Sequence, residues 1–140
     1  MAINDPTPDR SAYPAFPTDA ITYNDFLQRN TALGSLKVQA SRAQSALPTQ
    51  GVRISVIGRF QDARVLFFDG VTNGDGLITG ITLPAPPLAS SLNAQDARRG
   101  AVYQVFVSHP DFEPDVYEIE IFEGITSILP VTLQLPREVM

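Results

Sequence analysis

The 140-residue chain contains no cysteine and only one histidine, His109. Without cysteine it can form no disulfide, no thiolate metal site and no cysteine nucleophile. It has no apolar run near the roughly 18 to 20 residues that a membrane-spanning helix needs. Its first residues also lack the basic and then apolar pattern of a secretory signal. We therefore expect no insertion into a membrane, and the chain carries no recognisable signal peptide.

The charge balance is acidic, with 10 lysine and arginine residues against 15 aspartate and glutamate residues and a formal net charge of -5. An acidic chain without a basic cluster is a poor partner for a phosphate backbone, so we expect no binding to nucleic acid. Hydrophobic residues make up 44% of the chain. A chain of this length and composition is expected to bury one core.

The N-terminal part of the chain is rich in proline, with Pro6, Pro8, Pro14 and Pro17. Proline removes a backbone donor and fixes φ, so the first 22 residues are predicted to form an extended arm rather than a helix or a central strand. The residues that follow favour a short helix with Thr22 as its N-cap. We therefore predict residues 1–34 as an N-terminal arm with a short helix.

From Ser35 onwards, apolar and polar residues alternate with a period of two. Seven such runs are separated by turn residues, which is typical of an antiparallel β-sandwich. Gly80 lies inside the fourth run and predicts a β-bulge. The sandwich is predicted to span residues 35–136, followed by a tail at 137–140. The predicted strands centre on residues 36–40, 52–56, 65–67, 77–83, 103–107, 117–121 and 131–135.

Three stretches of the chain, taken in order, resemble one known group of domains. They are GSLKVQ at 34–39 with LP at 47–48 and GVRISV at 51–56; TNGDGL at 72–77 with LPAP at 83–86; and YQVFVSHPDF at 103–112 with IFEGITSILPV at 121–131. The chain resembles the carboxypeptidase regulatory-like group of transthyretin-like sandwiches, in a form associated with Gram-positive and often spore-forming bacteria. Asp111 and Phe112 stand where Gly-Phe is usual in this group.

This resemblance implies an all-β, seven-stranded, transthyretin-like or immunoglobulin-like sandwich. It also implies a non-catalytic role, because members of the group are modules added to enzymes or building blocks of surface structures. No enzyme domain accompanies the module in this chain, so the resemblance implies a building block. The protein is then expected not to be an enzyme and to use no cofactor.

No catalytic residue is predicted from the sequence itself. A serine or threonine nucleophile needs a base such as histidine beside it. His109 is followed by Pro110 and is expected in a solvent-exposed turn. Glu118 and Glu120 share one face of a strand. They are expected to lie on the solvent-exposed face of a sheet, or to prevent edge-to-edge pairing with other strands through their charge, rather than to act as an acid-base couple.

The glycine-rich run near Asn73 does not predict a metal site. A calcium loop of the EF-hand type needs side-chain oxygen ligands at positions that include 1 and 12. If Gly76 is the sixth residue of such a loop, Val71 falls at position 1 and Thr82 at position 12, so the motif fails. A tight turn built on Asn-Gly and Asp-Gly is the better interpretation. No metal ligand is therefore predicted.

Several apolar residues are predicted to contact another copy of the chain. Successive strand residues face opposite sides of a sheet, so Phe67 and Phe68 cannot both belong to the core of one regular sheet. One of them is expected to be exposed, or to be covered by the short helix or by a partner subunit. The predicted self-assembly contacts are Ile3, Tyr13, Phe16, Ile21 and Phe68.

The sequence thus favours a structural subunit whose arm packs on a neighbouring copy. Such contacts run head to tail and grow a homopolymer, which predicts a filament on a cell or spore surface and therefore an extracellular location. One alternative is an envelope binding or adhesion module, with a site formed by the loop at 84–100 and the turn at 73–76. The other is a phage virion protein of the decoration or tail type.

Overall fold

The computed structural model describes residues 20–42, 47–87 and 100–136. The described chain contains one α-helix, α1 (Tyr23–Arg29), within 20–42. Its strands are β1 (Ala32–Arg42), β2 (Leu47–Pro48), β3 (Arg53–Arg59), β4 (Arg64–Val71), β5 (Leu77–Ala85), β6 (Ala101–His109), β7 (Phe112–Ile121) and β8 (Thr126–Thr132). In this part of the chain, no helix is long and apolar enough to cross a membrane.

The strands form two sheets that pack face to face. In sheet A, β1 lies in the middle, with β5 and the short β2 along one side and β8 along the other. In sheet B the order is β4-β3-β6-β7, and every pairing is antiparallel. The all-β sandwich with a short helix that the sequence predicts is therefore confirmed.

Two details of the predicted strands are wrong. The final strand runs over 126–132 rather than 131–135, and the two-residue β2 brings the number of described strands to eight. The pairing of β1 with β8 is parallel, with Ser35 opposite Thr126 and Ser41 opposite Thr132. Two strands joined by a tight hairpin must be antiparallel. β1 and β8 are not joined in this way, because all of sheet B lies between them along the chain. β8 can therefore run parallel to β1.

The core fills the space between the sheets. Along β1, Leu36, Val38 and Ala40 are buried while the residues between them are partly exposed. The same alternation runs along β3 and β6, as a half-buried antiparallel strand requires. Among the described residues, the side chains of the core cluster run from Ile21 to Leu133.

Two irregularities interrupt the ladders. Between β1 and β5 the register passes from Leu36–Ile81 to Val38–Ile78, so β5 carries one extra residue at this point. Gly80 lies between Ile78 and Ile81 with φ +75°, a conformation in which a side chain would be strained. The bulge predicted at Gly80 is thereby confirmed.

The second irregularity brings Phe67 and Phe68 to the same side of sheet B. Val56 pairs with Phe68 and Ile57 pairs with Leu66, which leaves Phe67 as an extra residue in β4. Because a bulge sets two residues against one, it interrupts the alternation of the strand. Both rings pack against the core, so the expectation that only one could do so is wrong.

Candidate functional site

One end of the sandwich is closed by helix α1 and a group of five rings, the aromatic cluster. Thr22 caps the helix, its Oγ1 accepting a hydrogen bond from the Asp25 backbone at 3.1 Å, as predicted. Phe26, only 2% exposed, lies at the centre of the cluster. Its ring centroid is 4.8 to 6.1 Å from three of the others. The members of the cluster are Tyr23, Phe26, Phe60, Phe67 and Tyr103.

Tyr103 joins the two sheets beneath the cluster. Its side chain is 1% exposed, and its hydroxyl donates a hydrogen bond to the Pro84 carbonyl at 2.5 Å. Burial, with a smaller contribution from Tyr23, raises the pKa of the Tyr103 phenol. The phenol therefore stays protonated at neutral pH and serves as a donor that holds β6 to β5.

The same end holds the first described residues of the chain in place. The Gln61 backbone donates to the Ile21 carbonyl at 2.8 Å, and the Tyr23 backbone donates to Asp62 Oδ1 at 3.0 Å. Both contacts lie at the turn between β3 and β4. The described chain therefore begins at a defined point beside this turn.

The predicted assembly contacts have different surroundings. Ile21 is 8% exposed and belongs to its own chain's core, and Phe68 is half-buried against that core. Ile3, Tyr13 and Phe16 lie outside the described residues. A contact of any of these five side chains with another copy stays a prediction.

The outer face of sheet B carries four apolar residues grouped around Gln104. Together they form the outer-face patch, which consists of Ile57, Leu66, Gln104, Phe106 and Val116. The register aligns Leu66, Ile57 and Gln104 on neighbouring strands. It also aligns Phe106 with Val116. Leu66 is 58% exposed and Val116 is 49% exposed. Outward positions of a sandwich strand are usually polar, and grouped apolar residues there mark an interaction site.

Gln104 occupies the middle of this patch and is not fully satisfied. Its Oε1 atom is buried and has no hydrogen-bond partner among the described residues. A buried acceptor without a partner costs about 1–3 kcal/mol, and native folds keep few of them. The centre of the patch therefore holds a buried acceptor, Gln104 Oε1, without a hydrogen bond from the described residues.

Arginines flank the patch along β3 and β4. Arg53 forms a two-point pair with Asp69, with an Nη2–Oδ2 distance of 2.6 Å, and Ser55 Oγ donates to the same carboxylate at 2.9 Å. The hydrogen bonds from Arg53 and Ser55 lower the pKa of Asp69. Arg59 and Arg64 face each other directly, exposed, and neither takes part in an ion pair within the described ranges. Like charges directly opposite each other across two strands are unfavourable.

The other end of the sandwich is open and holds a groove of about 700 Å³, the end groove. This volume lies within the range of small-molecule and peptide sites. Apolar groups from Phe112, Leu133 and Leu135 form part of its wall, and polar groups complete it. The lining residues are Arg42, Thr49, Gln50, His109, Asp111, Phe112, Leu133 and Leu135.

Buried hydrogen bonds support the floor of the end groove. Thr72 is 2% exposed; its Oγ1 donates to the Thr49 carbonyl at 2.8 Å and accepts from the Val52 backbone at 3.0 Å. Arg42 Nη1 contacts Thr49 Oγ1 at 3.4 Å, and Arg42 forms no ion pair within the described part of the chain. Arg42 and Asp111 therefore both line the groove, and within the described residues neither forms an ion pair.

His109 is better packed than the sequence predicts. Its ring is half-buried, 5.1 Å from the Phe112 ring, and its Nδ1 accepts a hydrogen bond from the Asp111 backbone at 3.0 Å. The prediction of a solvent-exposed residue is therefore wrong. Because Nδ1 is an acceptor, the neutral ring carries its proton on Nε2. This bond closes the turn in which Asp111 replaces the usual glycine.

The turn at 73–76 is tied to its own backbone. Asn73 Oδ1 accepts from the Asp75 backbone at 2.9 Å and from the Leu77 backbone at 3.0 Å. This is an Asx turn, as the asparagine-glycine spacing predicts. Within residues 20–42, 47–87 and 100–136, no group of three or more histidine, aspartate or glutamate side chains lies close enough to hold a metal ion.

Glu118 and Glu120 both lie on the outward side of β7. Glu118 pairs in register with Gln104, at the border of the outer-face patch. Glu120 accepts a hydrogen bond from the Gly100 backbone through Oε2 at 2.8 Å. This contact fixes the start of β6, which gives Glu120 a structural partner.

No protein-family model matches the sequence, and no curated protein is a significant match to it. Solved structures do match. The Bacillus anthracis TIE protein superposes with a TM-score of 0.52 at 18% identity over 74% of this chain. The chain spans 17% of the length of that protein. At this identity the likeness concerns the fold alone.

Two further solved structures share the sandwich at lower scores. Klebsiella pneumoniae 5-hydroxyisourate hydrolase matches 76% of this chain and 99% of its own, with a TM-score of 0.45 and 15% identity. Transthyretin from Sparus aurata matches 69% of this chain and 89% of its own, with a TM-score of 0.44 and 19% identity. The fold of this chain is a two-sheet β-sandwich, as the sequence predicts.

Sequence reasoning missed both the outer-face patch and the end groove. A signal for the patch was present, because Phe106 and Val116 occupy outward positions at which the alternation calls for polar residues. The groove left no comparable signal, since its lining comes from segments far apart in the chain.

Proposed function

We propose that this protein is a non-catalytic structural subunit that self-assembles through its N-terminal arm into a filament at a cell or spore surface. The observation that supports this proposal is that the described residues from Ile21 onwards form a continuous core between the two sheets. The described chain also begins at a point held by backbone hydrogen bonds at the β3–β4 turn. We also assign the chain to the carboxypeptidase regulatory-like group on the sequence stretches described above.

The mechanism follows from the geometry of such a contact. An arm that leaves one subunit and packs on the next uses two different surfaces, so the contact is heterologous and each added copy exposes a new acceptor. Prolines at four positions of the arm remove backbone donors. The arm is therefore better suited to lie along a groove or a face than to add a regular strand to a sheet edge.

Deletion of residues 1–19 tests the proposal. This variant keeps Ile21 and Thr22, so it is expected to fold with an unchanged circular dichroism spectrum. It is expected to lose all polymers in sedimentation and in negative-stain microscopy. Deletion of residues 137–140 is the matched control and is expected to leave the polymers intact. Polymers of normal length from the variant without residues 1–19 would exclude the arm as the assembly element.

The end groove favours a second candidate function, a binding module for an envelope component. Within the described residues, the groove combines apolar walls with Arg42 and Asp111, neither of which forms an ion pair. This lining suits a ligand with an apolar portion and a carboxylate that pairs with Arg42. Binding of such a ligand by a monomer, lost on Arg42→Gln, would support this function. The remaining alternative is a phage virion protein assembled through the same arm. Polymers found in phage particles, rather than on a cell or spore surface, would favour that alternative.

A further inference from the structure

We propose that two copies of this chain pair face to face through the outer-face patch of sheet B, about a twofold axis that runs along the strands between β3 and β6. This pairing goes beyond the proposed function, because it adds an interface that does not use the N-terminal arm. The patch exposes aliphatic groups at Leu66 and Val116, and grouped apolar residues of this kind mark an interaction surface. The charges around the patch indicate that the partner is a second copy.

Those charges are separated by strand. Arg59 and Arg64 lie opposite each other on β3 and β4, at a cost because like charges repel across two strands. Glu118 and Glu120 lie on the outward side of β7, at the other edge of sheet B. Within the described ranges neither arginine forms an ion pair, and Glu118 forms none either. The face is therefore cationic towards its β4 edge and acidic towards its β7 edge.

A twofold axis along the strands makes this face complementary to itself. Rotation about that axis places β4 of one copy over β7 of the other, and β3 over β6. Arg64 of each copy then faces the two carboxylates of the other, Glu118 and Glu120, so the contact occurs twice. Packed sheets cross at about 30°, so the match is one of strands rather than of single residues. The Arg53–Asp69 pair on the same face is already neutral and opposes neither contact.

An axis across the strands gives a poorer match. It places every strand over its own counterpart, so that the arginine-bearing strands face each other and β7 faces β7. Like charges are then brought together, which costs several kcal/mol at an interface. The distribution of charge therefore selects the axis along the strands.

The size of the face sets the expected strength of the pairing. Four strands at about 4.8 Å spacing and about 20 Å of strand length, from Arg53 to Arg59 on β3, give about 400 Å² per copy. Interfaces that bury less than about 1,200 Å² in total belong to weak and transient complexes. We therefore expect pairing at high protein concentration. Repeated along a filament, the same contact would join two filaments side by side.

A single cysteine reports the pairing in the full chain, which has no cysteine of its own. Ser108 is exposed on the outward side of β6, beside the axis. Packed sheets lie about 10 Å apart and neighbouring strands about 4.8 Å apart, so the two copies of residue 108 are expected about 11 Å apart. A short bismaleimide linker is expected to join Ser108→Cys into a covalent dimer on a denaturing gel. Ile128→Cys is the matched control, 54% exposed but on sheet A, and is expected to give little dimer.

Charge reversal in the Ser108→Cys background tests the axis. Arg64→Glu and Glu118→Arg each set like charges against each other in both halves of the contact, so each alone is expected to lower the dimer yield at least about tenfold. An equimolar mixture of the two variants restores opposite charges in both halves, and its yield is expected to recover. Lys37→Glu makes the same change of net charge as Arg64→Glu but lies on β1 of sheet A. Its yield is expected to be unchanged.

Three results would overturn the pairing. One is a mixture whose yield stays as low as that of the single variants. Another is an equal yield from Ser108→Cys and Ile128→Cys. The third is a dimer that appears only after deletion of residues 1–19, which would show that the arm covers this face. The proposed function is decided separately, because polymers lost on that deletion support it whether or not the faces pair, and polymers that survive it exclude the arm without affecting the pairing.

Discussion

The two ends of the sandwich are completed by different physical means. At the helix end, the aromatic cluster covers the core with ring-to-ring contacts, and Phe26 is almost fully buried. At the opposite end no described element covers the end groove, and buried hydrogen bonds from Thr72 hold its floor. The helix end thus owes its order to apolar packing and the open end to polar contacts.

The largest expected effect comes from removing the ring at the centre of the helix end. Phe26→Ala is expected to lower the free energy of unfolding by about 3–5 kcal/mol, because it leaves a cavity among the remaining rings. Urea denaturation followed by circular dichroism measures this loss. Leu27→Ala on the same helix is the control, since Leu27 is 39% exposed and its loss is expected to be much smaller. Equal effects of the two substitutions would show that the ring contacts do not hold this end.

A smaller loss is expected at the open end. Thr72→Val keeps the shape of the side chain but leaves the Val52 N–H and the Thr49 carbonyl without their side-chain partner. This change is expected to cost about 1–3 kcal/mol in the same denaturation experiment. Thr82→Val serves as the control, because Thr82 lies on the exposed side of β5. A Thr72 variant as stable as the natural protein would contradict a polar support for the groove.

The smallest expected effect depends on pH and belongs to the helix end. Tyr103→Phe removes the hydrogen bond to Pro84 and is expected to cost about 1 kcal/mol at neutral pH. Because burial raises the pKa of Tyr103 in the folded state, its contribution is complete below the unfolded value of about 10 and is lost as the pH rises above it. The natural protein should therefore lose stability in alkali more steeply than the variant. Parallel curves for the two proteins between pH 9 and 12 (roughly the range set by the tyrosine pKa) would contradict this assignment.

The regular parts of the sandwich were predictable because burial on one face imposes a period of two. Leu36, Val38 and Ala40 show this period in the sequence, and they form the buried side of β1. Gly80 was also predictable, since a glycine inside a strand favours a bulge. Thr22 was recognisable as a helix cap from its position before the apolar residues of α1.

Other features depend on contacts that no local pattern encodes. The bulge at Phe67 is set by the pairing of β4 with β3 and by the rings of α1, and nothing in the residues of β4 alone specifies it. The position of β8 was misjudged because Pro130 lies inside the strand, where proline usually argues against one. Pro130 is accommodated because β8 is the outermost strand of its side of sheet A. The end groove arises only when distant turns meet.

The parallel pairing of β1 with β8 determines when sheet A can be completed during synthesis and folding. Ser35 meets Thr126, so the strand at the middle of sheet A gains its second neighbour only after β5 and all of sheet B have been synthesised. Contacts between residues so distant in sequence slow folding, because the entropy of closing a long loop is lost before the contacts stabilise the chain. Until then one side of β1 is an unpaired edge in a chain emerging from the ribosome, open to pairing with other nascent chains. Translation speed and early capture by chaperones are therefore expected to govern the yield of native protein.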